Sequence, residues 1–508
     1  MSCTRRRLAP ILAALVLAPA LPALAAQPRS EREVYGPRYE PPRTSRPSQH
    51  HGPRRTDPIR HWNRLAIDAS GLDHTPVAPG EDRTFGEQFG PGRSARAMAI
   101  VHIAVFEAVN AIVGGYESYL GLERAPYATS LGAAVAQAAH DTLVAMFPSQ
   151  QGVFDEALDD ELDRVRDWRA RLRGVQLGRR AAAEILALRA HDGSHHAEPL
   201  YGTDWLPSDA PGIWRKDPIS QFGLALGAKW GAVEPFVLDD VLDFRAPPPP
   251  PLDSLEYADA FAEVKELGGD GITTLTARTA EQTETGIYWA YDGTPSLCAP
   301  PRMYNQIAVL IATRKRSSLV ELARLLALMN TALADAGIAA WDSKYHYQLW
   351  RPVTGIREAD GDTGPTGLGD GNSATLGDPS FSPLGAPASN LGPLAVNFTP
   401  PFPAYPSGHA TFGGALFQTL RRFYGTDEIP FTFVSDELNG VTPDSQGSPR
   451  PLRPRSFMTL SQAEEENGQS RIYLGIHWAF DKTEGIAQGR AVADQVFENL
   501  FRPKRHHH

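Results

Sequence analysis

Hydrophobic residues recur along most of the chain at the three- and four-residue spacing of α-helices, and this pattern predicts an all-α protein. The stretch 95–112 is apolar nearly all round, which indicates a helix buried on every side. Helical spacing with one polar face follows at 131–147, 154–168 and 174–191. Because no alternating run is long enough to predict a sheet, we expect packed helical bundles joined by irregular loops.

A proline run at 247–251 separates this first helical half, residues 59–246, from a second half, residues 252–505. Two stretches of the second half, 355–405 and 425–468, are rich in Gly, Pro and polar side chains and predict long irregular connections. Helices are predicted at 255–267, 276–291, 304–313, 318–336, 338–350, 406–424 and 477–500, with a break at Gly337.

The amino-terminal residues follow a different pattern. Three arginines at 5–7 precede an apolar stretch that ends in Ala-Leu-Ala at 23–25, so residues 1–26 predict a signal peptide and export to the periplasm or the medium. Residues 27–58 are rich in Pro, Arg, Ser and His and predict a disordered arm. No long uncharged apolar run follows the signal, which predicts that the chain has no membrane span.

Composition narrows the range of partners. The 508 residues carry a net charge of -10, which argues against nucleic acid because such partners attract basic surfaces. Cys298 is the only cysteine beyond the predicted signal, so an intramolecular disulfide is not expected, and a buried, inert thiol is. His102 and Glu107 lie in the apolar stretch 95–112, and we expect both to be satisfied core residues.

Candidate chemistry lies in three short stretches of the last third, at 344–352 (KYHYQLWRP), 406–409 (PSGH) and 470–481 (SRIYLGIHWAFD). Together they carry many hydrogen-bond donors and one carboxylate, which suits an oxyanion better than a metal cation. In the first stretch Lys344 and Arg351 are seven residues apart, so they are predicted on one face of a helix that Pro352 ends. The alternative is a solvated basic helix face.

The second stretch places the hydroxyl of Ser407 and the amide of Gly408 at the start of a predicted helix. Free N–H groups and the helix dipole favour an anion there, and Gly408 has no side chain to block its approach. His409 can exchange protons at the same place. The alternative for Ser407 is a plain helix cap.

In the third stretch Arg471 offers two parallel donors. His477 and Asp481 are four residues apart, so the carboxylate can hold one ring nitrogen and keep the other electron-rich. The alternative is an ordinary pair on a helix surface. An oriented imidazole of this kind can attack phosphorus, or it can donate its lone pair to an oxyanion metal centre such as vanadate.

The order and combination of these motifs resemble those of the vanadium-dependent haloperoxidases and of the type 2 phosphatidic acid phosphatase superfamily that includes them. The direct resemblance covers residues 341–481. It is closest to the vanadium chloroperoxidases, because the run 399–414 (TPPFPAYPSGHATFGG) is similar to theirs beyond the shared core. Phe402 and Trp341 resemble the aromatic residues of their halide pocket, and Asp292 resembles an Asp that pairs with a site arginine.

This resemblance implies two four-helix bundles with the site at one end of the second. It also implies an enzyme that holds vanadate (vanadium V) and uses hydrogen peroxide to oxidise chloride or bromide to hypohalous acid, with a small organic molecule as a further acceptor. His477 would be the axial ligand of vanadate, His409 would accept a proton from hydrogen peroxide, and Lys344 would polarise the peroxide. The residues implied to neutralise the vanadate oxygens are Lys344, Arg351, Ser407, Gly408 through its amide, and Arg471.

Two other functions stay open at this point. A secreted acid phosphatase of the same superfamily would use His477 as nucleophile and His409 to protonate the leaving group. A non-catalytic oxyanion-binding protein would need neither role. Chain length and the aromatic residues Trp341 and Phe402 favour the haloperoxidase, because phosphatases of this superfamily are usually much shorter. The sequence alone does not decide between chloride and bromide, and it does not give the oligomeric state.

Overall fold

The computed structural model describes residues 29–35, 57–292, 297–387, 396–444 and 447–504. Over these residues the chain is mostly helical, which confirms the predicted all-α class. The helices are α1 (Glu31–Tyr35), α2 (Pro58–Asp73), α3 (Pro91–Val113), α4 (Leu131–Met146), α5 (Gln151–Asp163), α6 (Trp168–Leu188), α7 (Leu255–Leu267), α8 (Ala280–Tyr288), α9 (Pro300–Arg314), α10 (Leu319–Tyr347), α11 (Pro352–Arg357), α12 (Gly408–Tyr424), α13 (Leu460–Tyr473) and α14 (Ala479–Asn499).

Two long helices, α3 and α10, lie at the centre of the fold. α3 packs against α4, α6 and α10, while α10 also packs against α12 and α14, so one core contains residues from both predicted halves. Both helices are long and apolar enough to cross a membrane by length and composition alone. Inside the protein, however, 89% of the apolar window of α3 and all of that of α10 are buried. Their apolar surface is therefore used in packing the core.

The predicted break at Gly337 is wrong, because α10 continues through it as one helix of 29 residues. The helix begins with a capping box between Ser318 and Glu321. A Cβ atom at position 337 would lie 3.1 Å from the ring of Phe412 on α12. The glycine therefore permits close packing of two helices and does not interrupt either of them.

The helices α12 and α14 pack closely through glycine residues on their facing sides. A Cβ atom on Gly489 would lie 1.9 Å from the carbonyl oxygen of Thr411, and one on Gly414 would lie 2.5 Å from that of Ile486. At the start of α12, the amide of Ser407 donates to the carbonyl oxygen of Asp481 in the first turn of α14, at 2.9 Å. This packing places the amino-terminal ends of the two helices side by side.

The connection predicted as irregular at 425–468 contains two strands and the start of a helix. The strands β1 (Phe431–Asn439) and β2 (Leu452–Phe457) form an antiparallel hairpin, with Phe431 opposite Phe457. Helix α13 also begins there, at Leu460. The sequence of α13 does not show a clear apolar face, because one of its buried residues, Glu464, is charged. Glu464 pairs with Arg421 and Arg490.

The predicted signal peptide at 1–26 lies outside the described residues, so export stays a prediction. The prediction of a disordered arm is wrong for the short segment 29–35, which is folded against the core. Val34 and Tyr35 are each 4% exposed, and the Tyr35 ring packs against Phe85, Phe89 and Phe222. Residues 36–56 of the arm lie outside the described residues.

Candidate active site

The three predicted stretches meet at the floor of a cavity between the ends of α10, α12, α13 and α14. The cavity encloses about 660 Å³ of space, counting its open mouth. Polar residues of its floor are Asp292, His409, Arg471 and His477, and Gly408 lies beside them. Lys344, Arg351 and Ser407 are buried nearby, and each contacts a residue or segment of this floor.

The backbone around Arg351 differs from the predicted helix. α10 ends at Tyr347, Gln348 adopts a left-handed conformation (φ 53°), and Pro352 begins α11 instead of ending a helix. Arg351 and Lys344 therefore do not share a helical face. The Nε of Arg351 donates to the carbonyl oxygen of Phe402 at 2.9 Å, and Nη1 donates to that of Ile476 at 2.8 Å.

Two buried guanidinium groups have nitrogen atoms with no partner among the described residues. Arg471, on the last turn of α13, donates from Nη2 to Oδ1 of Asp292 at 2.6 Å, while its Nε and Nη1 have no hydrogen-bond partner. The Nη2 of Arg351 also lacks one. Buried donors without acceptors are costly, and cationic donors gathered in one place suit a bound anion. Three nitrogen atoms are therefore available to an oxyanion.

His477 is oriented by Asp481 across the start of α14. Its Nδ1 lies 2.8 Å from Oδ2 of Asp481, which also accepts the amide N–H of Trp478 at 3.0 Å. Trp478 caps α14, so the pair forms at the helix entrance and not within a helical turn as predicted. The carboxylate acts as the acceptor, which places the proton on Nδ1 and leaves the lone pair on Nε2.

Burial, and then the charges of Arg351, Lys344 and Arg471, hold the pKa of His477 well below its usual range. The imidazole is therefore neutral. Its Nε2 lone pair now faces Nη1 of Arg351 at 2.9 Å. Because Nη1 also donates to the Ile476 carbonyl oxygen, it can keep that bond when Nε2 binds another group.

The start of α12 agrees with the prediction. Ser407 is the N-cap of α12 and Gly408 its first residue, with the Ser407 Oγ accepting the amide N–H of Ala410 at a long 3.4 Å. His409 forms a short hydrogen bond from Nε2 to the carbonyl oxygen of Ala290, which places its proton on that nitrogen. Burial and the charge of Arg471 lower the pKa of His409 well below its usual range. Its Nδ1 is then unprotonated and can accept a proton.

Lys344 lies beside the site in an unexpected environment. Its Nζ donates to the carbonyl oxygens of Pro403 at 3.0 Å, Ala404 at 2.9 Å and Pro406. Burial and the neighbouring Arg351 lower the pKa of Lys344, but three acceptors match the three N–H groups of an ammonium and favour the charged form. Its charge therefore acts next to the floor, while its N–H groups are directed to the backbone.

Aromatic side chains form the wall next to this floor. The rings of Trp341 and Phe402 are 4.9 Å apart, and both line the cavity as the sequence predicted. No motif in the sequence marks the other lining residues, which come from the amino-terminal arm and from both halves of the chain. The unpredicted lining residues include Val34, Tyr35, Phe89, Phe222, Leu226 and Phe398.

The expected state of three residues outside the floor is also tested by the structure. Cys298 is buried as predicted, but its Sγ lies 2.9 Å from Oγ of Ser70 and is not in purely apolar surroundings. Glu107 accepts N–H groups from Tyr119 and Leu120, as expected of a satisfied core residue. His102 is wrongly predicted, because neither of its ring nitrogens has a partner among the described residues. Burial lowers the pKa of His102 to about 3, so it is a neutral core residue.

The donor set fits an oxyanion with a central atom that takes one nitrogen ligand. No group of three or more His, Cys, Asp or Glu side chains in the described parts of the chain has the arrangement of a metal-cation site. Instead, one lone pair on His477 faces the open donors of Arg351 and Arg471. Vanadate needs one such ligand and several cationic donors for its oxygens, so these residues fit it.

The resemblance expected from the sequence is supported by similarity to the vanadium-dependent haloperoxidases, both in the second half of the chain and in the fold. Residues 324–505 match the VCPO second helical-bundle domain. Over 262 residues the chain is 39% identical to a vanadium chloroperoxidase of Curvularia inaequalis. That match covers 45% of this chain and 41% of the relative, so the chain spans about two fifths of the length of the relative that it matches.

Solved structures share the fold over most of the chain. A bacterial vanadium-dependent iodoperoxidase superposes with a TM-score of 0.67 at 24% identity, covering 89% of this chain and 99% of its own. The apo form of a bacterial vanadium-dependent chloroperoxidase superposes with a TM-score of 0.60 at 17% identity, covering 80% of this chain and 92% of its own. The predicted helical-bundle architecture is therefore confirmed.

Proposed function

We propose that the protein is a vanadium-dependent haloperoxidase that uses hydrogen peroxide to oxidise a halide ion to hypohalous acid. The observation that carries the proposal is the juxtaposition of a neutral His477, oriented by Asp481, with two buried arginines. Both arginines have donors that no residue in the described part of the chain accepts. The match of this part of the chain to the VCPO second helical-bundle domain supports the same function. We infer chloride and bromide as substrates, and iodide is included in the test because one structural relative is an iodoperoxidase.

Each residue of the site would have a separate role. His477 Nε2 would bind vanadium, and Arg351 and Arg471 would hold the oxygens and compensate their charge. When bound, vanadate activates hydrogen peroxide toward attack by a halide ion. Ser407 and the Gly408 amide would add donors from the start of α12, where the helix dipole favours an anion.

His409 would take up at Nδ1 the proton that hydrogen peroxide loses on binding. Asp292 orients Arg471, since its Oδ1 accepts a hydrogen bond from Nη2 at 2.6 Å. The same oxygen lies 3.8 Å from Nδ1 of His409 and would stabilise the imidazolium once Nδ1 has taken up the proton. Lys344 would contribute positive charge beside the site where hydrogen peroxide would be activated. The rings of Trp341 and Phe402 would exclude water from the halide side of the floor, which strengthens every charge interaction there.

The test is a halide-oxidation assay on metal-free protein with hydrogen peroxide and chloride, bromide or iodide, before and after addition of orthovanadate. Hydrolysis of a chromogenic phosphate ester is measured in parallel. We expect orthovanadate-dependent halide oxidation that is lost in His477→Ala. The matched control is His346→Ala, which replaces an exposed histidine near the same end of α10.

Phosphate-ester hydrolysis that orthovanadate inhibits, without halide oxidation, would contradict the proposal and make the protein an acid phosphatase with His477 as nucleophile. Absence of both activities, with unchanged orthovanadate binding in His477→Ala by equilibrium dialysis, would leave a non-catalytic oxyanion-binding protein.

A further inference from the structure

The wall of the cavity is chemically unlike its floor. Halide ions and hydrogen peroxide are small and strongly hydrated, and the polar floor suffices to bind them. Above the floor the wall is formed by apolar and aromatic side chains, and polar side chains are few. These residues include Val34, Tyr35, Phe89, Phe222, Phe398 and Pro401. A wall of this kind suits a molecule with an apolar surface.

Part of this wall comes from the short amino-terminal segment 29–35, which is anchored at several points. Arg29 donates from Nε to the carbonyl oxygen of Glu198 at 3.0 Å and pairs with Asp204 at 2.8 Å. Glu31 accepts the amide N–H of Val77 in a short hydrogen bond. The hydroxyl of Tyr35 donates to the carbonyl oxygen of His74 at 3.1 Å. The segment is thus held in a fixed place beside the cavity.

The Tyr35 ring joins this segment to an aromatic cluster that continues toward the floor. Its ring centroid is 5.8 Å from that of Phe222, which is 4.7 Å from that of Phe398. Phe398 and Phe402 lie on the same strip of chain, and Phe402 in turn packs on Trp341 at 4.9 Å. Aromatic side chains therefore line the cavity both beside the amino-terminal segment and beside the oxyanion site.

We propose that Val34 and Tyr35, together with Phe222 and Phe398, form a binding site for an uncharged aromatic molecule of one or two rings, which serves as the organic acceptor of the halogen. The chemistry rests on the proposed function, whereas the binding does not. In the reaction the aromatic carbon gains the halogen of hypohalous acid and loses a proton, and the oxygen of the hypohalous acid leaves as water. Val34 and Tyr35 then determine which acceptor is bound.

The probe is 1-naphthol, compared with its 4-sulfonate, which has the same ring system and a permanent charge. Binding of each is measured by fluorescence without peroxide and with saturating orthovanadate, which fills the cationic floor so that the sulfonate group cannot bind there. KM for each is measured in bromide-dependent halogenation. We expect 1-naphthol to bind at least tenfold more tightly than the sulfonate, because a charge is not compensated against the apolar wall. Equal binding of the two compounds would overturn the proposal.

Two substitutions test the wall itself. Val34→Trp fills part of the cavity and is expected to raise Kd and KM for 1-naphthol at least tenfold more than KM for bromide. Val34→Thr keeps the shape, adds a hydroxyl group and is expected to weaken 1-naphthol binding several-fold, which tests the wall if the tryptophan variant does not fold. The matched control is Val153→Trp on the exposed side of α5, which should change none of these values.

The outcomes separate this proposal from the proposed function. If Val34→Thr weakens 1-naphthol binding but the protein does not oxidise halide, the binding site at the wall is supported and the enzyme activity is refuted. The protein could instead oxidise halide while neither Val34 substitution changes the Kd or KM for 1-naphthol. That result would support the proposed enzyme activity and refute the proposed binding site at the wall.

Discussion

Glu437 accepts the backbone N–H of Tyr291 at 3.1 Å, and through this bond the β-hairpin holds the loop that carries Asp292. Two further bonds join the same elements: the Ser435 hydroxyl donates to the Tyr288 carbonyl oxygen at 2.6 Å, and the Asp436 amide donates to the Tyr291 hydroxyl at 2.7 Å. Since Asp292 pairs with Arg471, the hairpin positions a carboxylate of the site without touching the cavity floor.

Replacement of Glu437 by Ala should therefore weaken orthovanadate binding. Glu437 is fully buried and pairs with Arg450, so its loss frees the loop and leaves the pairing of Asp292 with Arg471 less well defined. We expect about a tenfold rise in the Kd for orthovanadate, at the lower end of the effect of residues that support metal ligands. Equilibrium dialysis measures this Kd. The control is Glu281→Ala, which removes a mostly exposed carboxylate that pairs with Arg455. Equal loss of affinity in both variants would contradict this role of the hairpin.

Substitution of Gly489 by Ala should destabilise the protein. The added Cβ would meet the carbonyl oxygen of Thr411 at 1.9 Å, so α12 and α14 must separate. Overpacking of this kind costs about 1–3 kcal/mol. The matched control is Gly152→Ala on α5, where nothing lies within 4 Å of the added atom and helix propensity should stabilise the fold by about 0.5–1 kcal/mol. Urea unfolding measures the change in the free energy of unfolding for both variants. An unchanged or raised free energy of unfolding for Gly489→Ala would contradict the packing argument.

The pair of helices α4 and α5 should lose stability at alkaline pH. His140 on α4 lies with Nδ1 2.7 Å from Asp141 and Nε2 2.8 Å from Asp155 on α5, so both ring nitrogens face carboxylates. Hydrogen bonds and charges of these carboxylates outweigh burial and raise the pKa of His140 above 6.5. A raised pKa means that this stabilisation is complete below about pH 6.5 and is lost as the pH rises through the folded-state pKa.

His140→Gln should therefore reduce stability at about pH 5.5 more than at about pH 9, as measured by urea unfolding at both pH values. The exposed His191 provides the control substitution His191→Gln. A loss of stability in His140→Gln that is the same at both pH values would show that the imidazolium is not the stabilising form.

The motifs predicted the floor of the site well because its residues lie at helix entrances, where local sequence determines geometry. Ser407 caps α12, and Asp481 in the first turn of α14 reaches His477, as short-range spacing alone can indicate. The chain leads to Arg351 through a left-handed turn at Gln348. The spacing of apolar residues does not predict such a turn.

The surroundings of the floor depend on contacts between distant parts of the chain. The three carbonyl groups that hold Lys344 belong to the loop at 403–406, and the bond from Glu437 to Tyr291 spans 146 residues. Neither has a signature in sequence spacing. The same holds for Tyr35, which lies in a stretch whose composition predicts disorder although its aromatic ring is part of the core.

Arg351 and Arg471 have donors without a partner among the described residues, which predicts that an oxyanion stabilises the folded protein. A ligand that binds only the folded state adds about 2.7 kcal/mol at a concentration of 100 Kd, so orthovanadate and phosphate should both raise Tm. The two anions should differ in their need for His477, because phosphate would use the arginine donors alone while orthovanadate would also take the Nε2 lone pair. In His477→Ala the shift in Tm with orthovanadate should fall to that with phosphate, whereas Arg471→Met should diminish both. Thermal unfolding by circular dichroism measures these shifts, with Arg490→Met on the partly exposed face of α14 as the control. If His477→Ala left the orthovanadate shift above the phosphate shift, the nitrogen ligand would have to be sought in another residue.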